Sequence, residues 1–381
     1  TGALTAGPAL TLSFLLAGLA CGFAALCYAE FASTIPVSGS IYTYAYSTLG
    51  ELVAWIIGWD LILEYGLATS AVSVGWSGYA QSLLAGFGIR LPQALMAAPG
   101  AIPGVETLIN LPAALIMLAV TFVLSRGVHE SARLNNIMVV IKLAVVMLFI
   151  AVGVWHVKPE NWQPFMPFGF SGMFNAAALV FFAFIGFDAV TSAAEEVKNP
   201  RRDLPIGIIA TLIICTVLYC AVALVVTGMV SYKDLDPAAA LANAFVFHGQ
   251  GWMATLISAG AVAGLTTVVL TLLVGATRII FAMSRDNLLP VGLARVHPTF
   301  RTPWRISLAV TIACSLFAGL TPIGLLEEMV NIGTLSAFVL VSIGIPVLRK
   351  KRPDIPRTFK VPFSPVLPII SAAICLYLML N

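Results

Sequence analysis

Charge is scarce in this sequence. Asp, Glu, Lys and Arg together make up 10% of its 381 residues, where an ordinary soluble domain carries about 25%. A soluble protein of this length has too much surface to cover with so few charges. A hydrophobic content of 60% excludes a disordered chain. Cysteine is sparse too. Cys21, Cys27, Cys215, Cys220, Cys314 and Cys375 all fall in apolar stretches, and none forms a CxxC or a Cys/His ligand pattern. That excludes a disulfide scaffold and leaves small buried hydrophobes. The four histidines, His129, His156, His248 and His297, lie in loops or at the edges of apolar runs. No histidine proton relay and no metal site is expected from them. HExxH, a Walker-type phosphate loop and a TVGYG filter are all absent. An enzyme is therefore not expected. There is no basic leader, and both ends read as cut.

What is present is long apolar runs. They cover residues 9–33, 50–85, 108–126, 135–157, 171–197, 204–231, 251–284, 305–321, 322–347 and 366–381. A helix needs about 20 apolar residues to cross the hydrocarbon, and the runs lack the alternation of membrane β-strands. They predict ten spans in one all-α polytopic membrane domain, 1–381, which no linker or low-complexity segment interrupts. Runs 50–85 and 251–284 are long for one crossing and predict tilted or protruding helices. Pro322 splits two runs that would otherwise merge. Tyr42, Trp155 and Trp304 near run ends read as interfacial belt residues.

The few charges are ordered along the chain. Alternate loops carry Arg126 and Arg133; Lys198, Arg201 and Arg202; Arg278, Arg285, Arg295, Arg301 and Arg305; and Arg349, Lys350, Lys351, Arg352, Arg357 and Lys360. The intervening loops carry only Arg90, Lys158 and Lys233. Basic loops stay cytoplasmic, so run 9–33 passes from outside to inside and each later run reverses.

Ionisable residues inside the runs need a reason, because one at mid-bilayer costs about 2.5–3.5 kcal/mol. Lys142 lies about 10 Å into its run at 1.5 Å per residue. Two readings stand: an ammonium snorkelling back to the cytoplasmic headgroups, or a buried amine that loads and loses a proton during a transport cycle. Asp60 and Glu64 are four apart and share a helix face. That face must meet protein or water, in a structural role or in a substrate or proton role. Glu30 closes the first run and reads as interfacial. Asp188 follows Gly186 in FFAFIGFDAVTS, 181–192. Gly186 weakens a helix there, and Asp188 is a good N-cap for one restarting at Ala189. Either the helix is broken, exposing backbone groups that favour a small zwitterion, or it runs on with one tolerated glycine.

Four stretches carry a resemblance. EEVKNPRRDLPIGI (195–208) and TRIIFAMSRDNLLP (277–290) resemble the cytoplasmic signatures after the sixth and at the end of the eighth helix of the amino acid–polyamine–organocation (APC) permeases. PVSGSIYTYAYSTLGELVAWIIGWDLILEYG (36–66) resembles the entry to that family's third helix, and GFDAV (186–190) the break in its sixth. The nearest subgroup is the bacterial proton-coupled, ApcT-like members of the cationic amino acid transporter group. The resemblance implies a LeuT-type fold of two inverted five-helix repeats, with the visible spans as family helices two to eleven and the first and last missing. It implies that the carbonyls of Phe182, Ala183 and Ile185, beside Gly186, receive the substrate ammonium, with Asp188 capping and gating the break. It places Glu64 at a carboxylate facing the substrate region and Leu272 at the side-chain pocket. Lys142 falls where a lysine stands in for sodium, which favours the proton-coupling reading. The glycine-rich break of the first helix, which binds the substrate carboxylate, is absent from this sequence.

The expected function is secondary active transport of L-amino acids across a bacterial plasma membrane, by proton symport and alternating access. Small or medium neutral substrates are favoured, because Leu272 leaves a guanidinium no polar partner. An exchanger or uniporter that includes cationic substrates is the alternative in class. A channel or receptor on the same fold is the alternative outside it. The expected partners are the amino acid, the proton and the lipid bilayer, with room for a small accessory membrane protein. No cofactor, metal or nucleic acid is expected.

Overall fold

The structure is a computed structural model. It describes residues 1–34, 42, 46, 50–102, 104–125, 132–187, 197–235, 238–296 and 302–380, with the backbone alone for 132–135. Each of the ten apolar runs carries a helix: α1 Gly2–Thr34, α2 Glu51–Gly86, α3 Leu111–Ser125, α4 Ala132–Gly153, α5 Gly169–Val180, α6 Pro200–Met229, α8 Gly251–Arg285, α9 Trp304–Leu320, α10 Ile323–Lys351 and α11 Val366–Leu380. Helix α7, Ala240–Phe247, lies between α6 and α8. There is no strand among the described residues. Among the described residues, six helices are long and apolar enough to cross a membrane, and four apolar ones are shorter.

The two longest runs are each a single helix. Helices α2 and α8 have 36 and 35 residues, about 54 and 52 Å at 1.5 Å per residue. That exceeds the ~30 Å hydrocarbon core. The proline division also appears: α9 stops at Leu320, and Pro322 is the N-cap of α10. Helix α7 gave no apolar run because it has 8 residues. It belongs to the outer loop region and seats Phe245 against Phe149 of α4, ring centroids 5.6 Å apart.

Contacts between loops respect the sidedness read from charge. On the basic side Thr302 Oγ1 donates to Ser125 O at 3.1 Å, Thr358 Oγ1 to Arg201 O at 3.0 Å and Tyr42 Oη to Asp286 Oδ2 at 3.0 Å. On the other side Asn110 N donates to Gly319 O at 2.8 Å and Lys158 N to Gly228 O at 2.9 Å. Tyr42 is thus fully buried and hydrogen-bonded, which corrects its reading as a belt residue. Trp155, 86% exposed, fits that reading.

Glycines set the closest helix approach. In α8, Gly260 and Gly264 lie one turn apart and face α4. A Cβ on Gly260 would overlap the Val145 side chain, and one on Gly264 would lie 3.0 Å from Lys142 Cγ. Small residues of this kind let membrane helices approach. Gly260→Val is expected to lower the melting temperature of the purified protein, because overpacking costs about 1–3 kcal/mol. Gly75→Ala on α2, where a Cβ meets nothing within 4 Å, is the comparison and is expected to leave it unchanged.

Candidate functional site

Helix α5 does not run through. Its last α-helical residue is Val180, and a 3₁₀ turn follows over Phe181–Phe184. Ile185 is extended, φ −62° and ψ 138°. Gly186 has φ 111°, a region that glycine enters without strain. A Cβ on Gly186 would meet no atom within 4 Å, so its backbone conformation, and not crowding, requires glycine. The broken-helix reading therefore holds as far as Phe187. Asp188 and the expected restart at Ala189 lie outside the described residues.

The break has two faces. Phe181, Phe184 and Phe187 are buried, whereas Phe182, Ala183, Ile185 and Gly186 are partly exposed. The three buried rings anchor the segment. Phe187 packs on Tyr28 of α1 and Phe338 of α10, centroids 5.6 and 5.1 Å apart, and Phe181 on Phe338 at 5.6 Å. Phe184 packs on Tyr219 of α6 at 5.3 Å and on Phe14 of α1 at 6.5 Å. The anchored side fixes the backbone, and the other side presents it. Irregular backbone at membrane depth is tolerated only where it is buried in protein or lines a cavity.

Two carbonyls of the break have protein partners. Phe182 O accepts from Ile185 N at 3.2 Å. Ala183 O accepts from Tyr219 Oη at 2.8 Å. One turn earlier, Asn331 of α10 donates its amide to Ala178 O at 2.8 Å. The Oδ1 of Asn331 is buried with no hydrogen-bond partner among the described residues.

The remaining expected site residues lie on α2, α4 and α8. Leu272 of α8 is 7% exposed and belongs to the same buried cluster as Phe181, Phe184 and Phe187. Glu64 of α2 is fully buried. Asp60 and Glu64 face α10: a Cβ on Gly333 would lie 3.7 Å from Asp60 Oδ1 and 3.8 Å from Glu64 N. Their shared face therefore meets protein, and Asp60 Oδ2 is buried without a hydrogen bond among the described residues. Lys142 is partly buried and lays its stem on Gly264, with Cε 3.3 Å from where a Cβ would be. Gly264 precedes Leu272 on α8 by about two turns.

Several residues of the region were not legible in the sequence. Tyr219, Asn331 and Phe338 sit on helices far from the break in the chain, and no local motif marks them. Glu30 is a correction. It is fully buried, not interfacial, and accepts from Arg349 Nε at 2.9 Å, Arg349 Nη2 at 2.5 Å and Val361 N at 2.6 Å. A carboxylate at the end of an apolar run shows its exposure in the sequence only if its cation is local; here the cation is on α10. His156 and His248 stand at outer helix ends, ring centroids 5.0 Å apart. His129 and His297 lie outside the described residues. Among those residues no cluster of three or more His, Cys, Asp or Glu side chains is placed to hold a metal.

Ten apolar helices with alternating basic ends, one of them broken at membrane depth, define a polytopic α-helical membrane protein. The amino acid permease family model matches residues 1–381. The chain belongs to this family, within the APC superfamily. It is 58% identical to the branched-chain amino acid permease BcaP of Bacillus subtilis (strain 168), covering 100% of this chain and 82% of that protein. It is 56% identical to the methylthioribose transporter of the same organism, over 98% of this chain and 81% of that one. The vacuolar cationic amino acid transporter 4 of Arabidopsis thaliana is 39% identical over 91% of this chain and 58% of its own length. These relatives are transporters and not enzymes, in agreement with the reading of the sequence.

Proposed function

We propose that this chain is the core of a proton-coupled symporter of neutral L-amino acids, small or medium in size, in a bacterial plasma membrane. The observation that carries this is the break of α5. It leaves Phe182, Ala183, Ile185 and Gly186 partly exposed while three phenylalanines hold the other face, and the carbonyls of Phe182, Ala183 and Ile185, beside Gly186, are assigned to receive the substrate ammonium. Unwound carbonyls favour an ammonium, and a zwitterion supplies one. The architecture is read as one permease domain, 1–381, on the LeuT-type inverted repeat, with alternating access about that point. Asp188 is assigned to cap and gate the break, and Glu64 to line the substrate region.

Leu272 sets the substrate size. It brings a bulky apolar side chain to the buried cluster, which suits a neutral aliphatic substrate and offers a guanidinium no hydrogen bond. The name of the 58% identical permease, which specifies branched-chain amino acids, supports that side of the choice. Lys142 is assigned the coupling role. The proton is the coupling ion and no cofactor is called for. A small accessory membrane protein on the lipid face is compatible with this reading.

The test uses the complete protein in proteoliposomes, with labelled alanine, an inward proton gradient and no sodium. Accumulation that collapses with the gradient is expected, together with competition by leucine and not by arginine. Accumulation that only sodium restores would overturn proton coupling. Uptake of methylthioribose without uptake of any amino acid would overturn the substrate class. Steady currents far above carrier turnover would replace the carrier with a channel.

A further inference from the structure

We infer that His156, His248 and Gln250 form a second site, on the outer face, that takes one Zn2+ or a similar borderline divalent ion. No residue of the α5 break belongs to it, and it does not depend on what that break binds. It joins the outer end of α4 to the turn between α7 and α8.

The three donors stand at the ends of three elements. His156 closes the 3₁₀ turn Val154–His156 that follows α4. His248 is the C-cap of α7, and Gln250 is the N-cap of α8. Gly249 between them has φ 72°, which glycine adopts without strain, and Gln250 N is tied back to Phe245 O at 2.9 Å. The hydrogen bonds then fix both tautomers. His156 Nδ1 lies 3.1 Å from Val152 O, and His248 Nδ1 lies 2.9 Å from Ala244 O. A carbonyl only accepts, so each Nδ1 carries the proton and each Nε2 keeps its lone pair in the neutral ring. Imidazoles that hold a metal are oriented in this way, with the other ring N–H given to a carbonyl or carboxylate. The two ring centroids are 5.0 Å apart. Two imidazoles on one tetrahedral ion hold theirs about 5 Å apart, given Zn–N bonds of about 2.0–2.1 Å. Gln250 supplies the third donor. Its Nε2 lies 3.0 Å from His156 Nε2, and its Oε1 is buried with no hydrogen-bond partner among the described residues. A half-turn of the carboxamide exchanges the two atoms and sets Oε1 beside His156 Nε2. Donors of one such ion lie about 3–3.5 Å from each other at bond lengths of about 2.0–2.2 Å. All three residues are partly exposed, so the ion enters from the outer solution and keeps water as its fourth ligand. Imidazole donors favour Zn2+, Cu2+ and Ni2+ over Mg2+ and Ca2+.

The test is calorimetric titration of Zn2+ into the complete, tag-free protein in detergent, with Mg2+ as the comparison ion. One Zn2+ per chain is expected, with no binding of Mg2+. Zn2+ is also expected to raise the melting temperature, because it binds the folded arrangement of three separate elements. His156→Ala and His248→Ala are each expected to weaken Zn2+ binding by about a hundredfold or more, since outer-shell partners alone are worth about 10–100-fold. Gln250→Glu puts a carboxylate, an ordinary zinc donor, in place of the carboxamide and is expected to tighten binding about tenfold. That gain is a result a damaged fold does not give, so the site stays testable if the alanine variants do not fold. A wild type that binds no Zn2+, or binding that survives unchanged in both histidine variants, would overturn the site and reduce the cluster to ring packing and one hydrogen bond. Weaker binding in Gln250→Glu would overturn the three-donor assignment. Neither result would touch the transport reading, which the uptake assay decides by itself.

Discussion

Replacing Arg349 by alanine is expected to cost the folded protein about 3–5 kcal/mol, the penalty for stranding one partner of a buried ion pair. Glu30 is fully buried at the cytoplasmic end of α1. Arg349, at the end of α10, grips both of its oxygens, and Val361 N–H donates to one of them at 2.6 Å. Arg357 Nε stands 3.6 Å from the other. Arg349 Nη2 also donates to Val361 O at 3.1 Å. The chain after α10 is thereby folded back over α1, and Thr358 extends it to Arg201 at the start of α6. Without Arg349 the carboxylate keeps Arg357 and one N–H, which places the loss toward the lower end of that range. The double variant Glu30→Ala with Arg349→Ala removes the stranded charge and is expected to be more stable than Arg349→Ala alone. Thermal unfolding of the complete protein in detergent reads both. A wild-type melting temperature for Arg349→Ala would show that the pair contributes nothing. Arg352→Ala is the comparison. Its partner Asp354 is exposed, and although the Arg352 hydrogen bond holds that carboxyl below its ordinary range, no change in melting temperature is expected.

The contrast between those two arginines shows what a sequence discloses. Arg352 and Asp354 are neighbours, and any reader pairs them. Glu30 and Arg349 are 319 residues apart, and nothing near Glu30 announces its cation. The spans themselves were legible because the bilayer imposes one demand on all of them, about 20 apolar residues without exposed backbone. The sides were legible because lysine and arginine are rare here and sorted. The break at Gly186 was legible as one of two readings, since a glycine and a capping aspartate suit a broken helix and a continuous one alike. Its φ of 111° decides between them. Tyr219, Asn331 and Gly264 were illegible for the opposite reason to the spans. Each acts on a group of another helix, and apolar helices leave few signals of which face meets which. The packing of Gly264 on Lys142 is such a case, since glycine in a membrane helix has many uses.

Lys142→Met is expected to abolish gradient-driven accumulation and to leave exchange running. The lysine stem lies along Gly264 of α8, so part of its length is already satisfied by packing. That packing does not call for a charge, and a charge at that depth costs about 2.5–3.5 kcal/mol on insertion scales. A packing role alone would be served better by methionine, which is unbranched, apolar and close in volume. The retained charge therefore needs a use, and the proposed one is to couple the cycle to the proton. Methionine is the informative variant because it fills the space beside Gly264. Alanine would open a void there and confuse lost coupling with lost packing. With Lys142→Met the melting temperature should stay near that of the wild type. Alanine or leucine should equilibrate across the membrane without accumulating, whatever the inward proton gradient. Counterflow of labelled against unlabelled substrate should persist, because the proposed substrate site is the α5 break and does not include Lys142. Accumulation at the wild-type level would remove Lys142 from the coupling role and turn attention to the buried carboxylates of Asp60 and Glu64. Loss of exchange as well, in a protein that melts normally, would make Lys142 a part of the substrate site, acting through α8 on the position of Leu272.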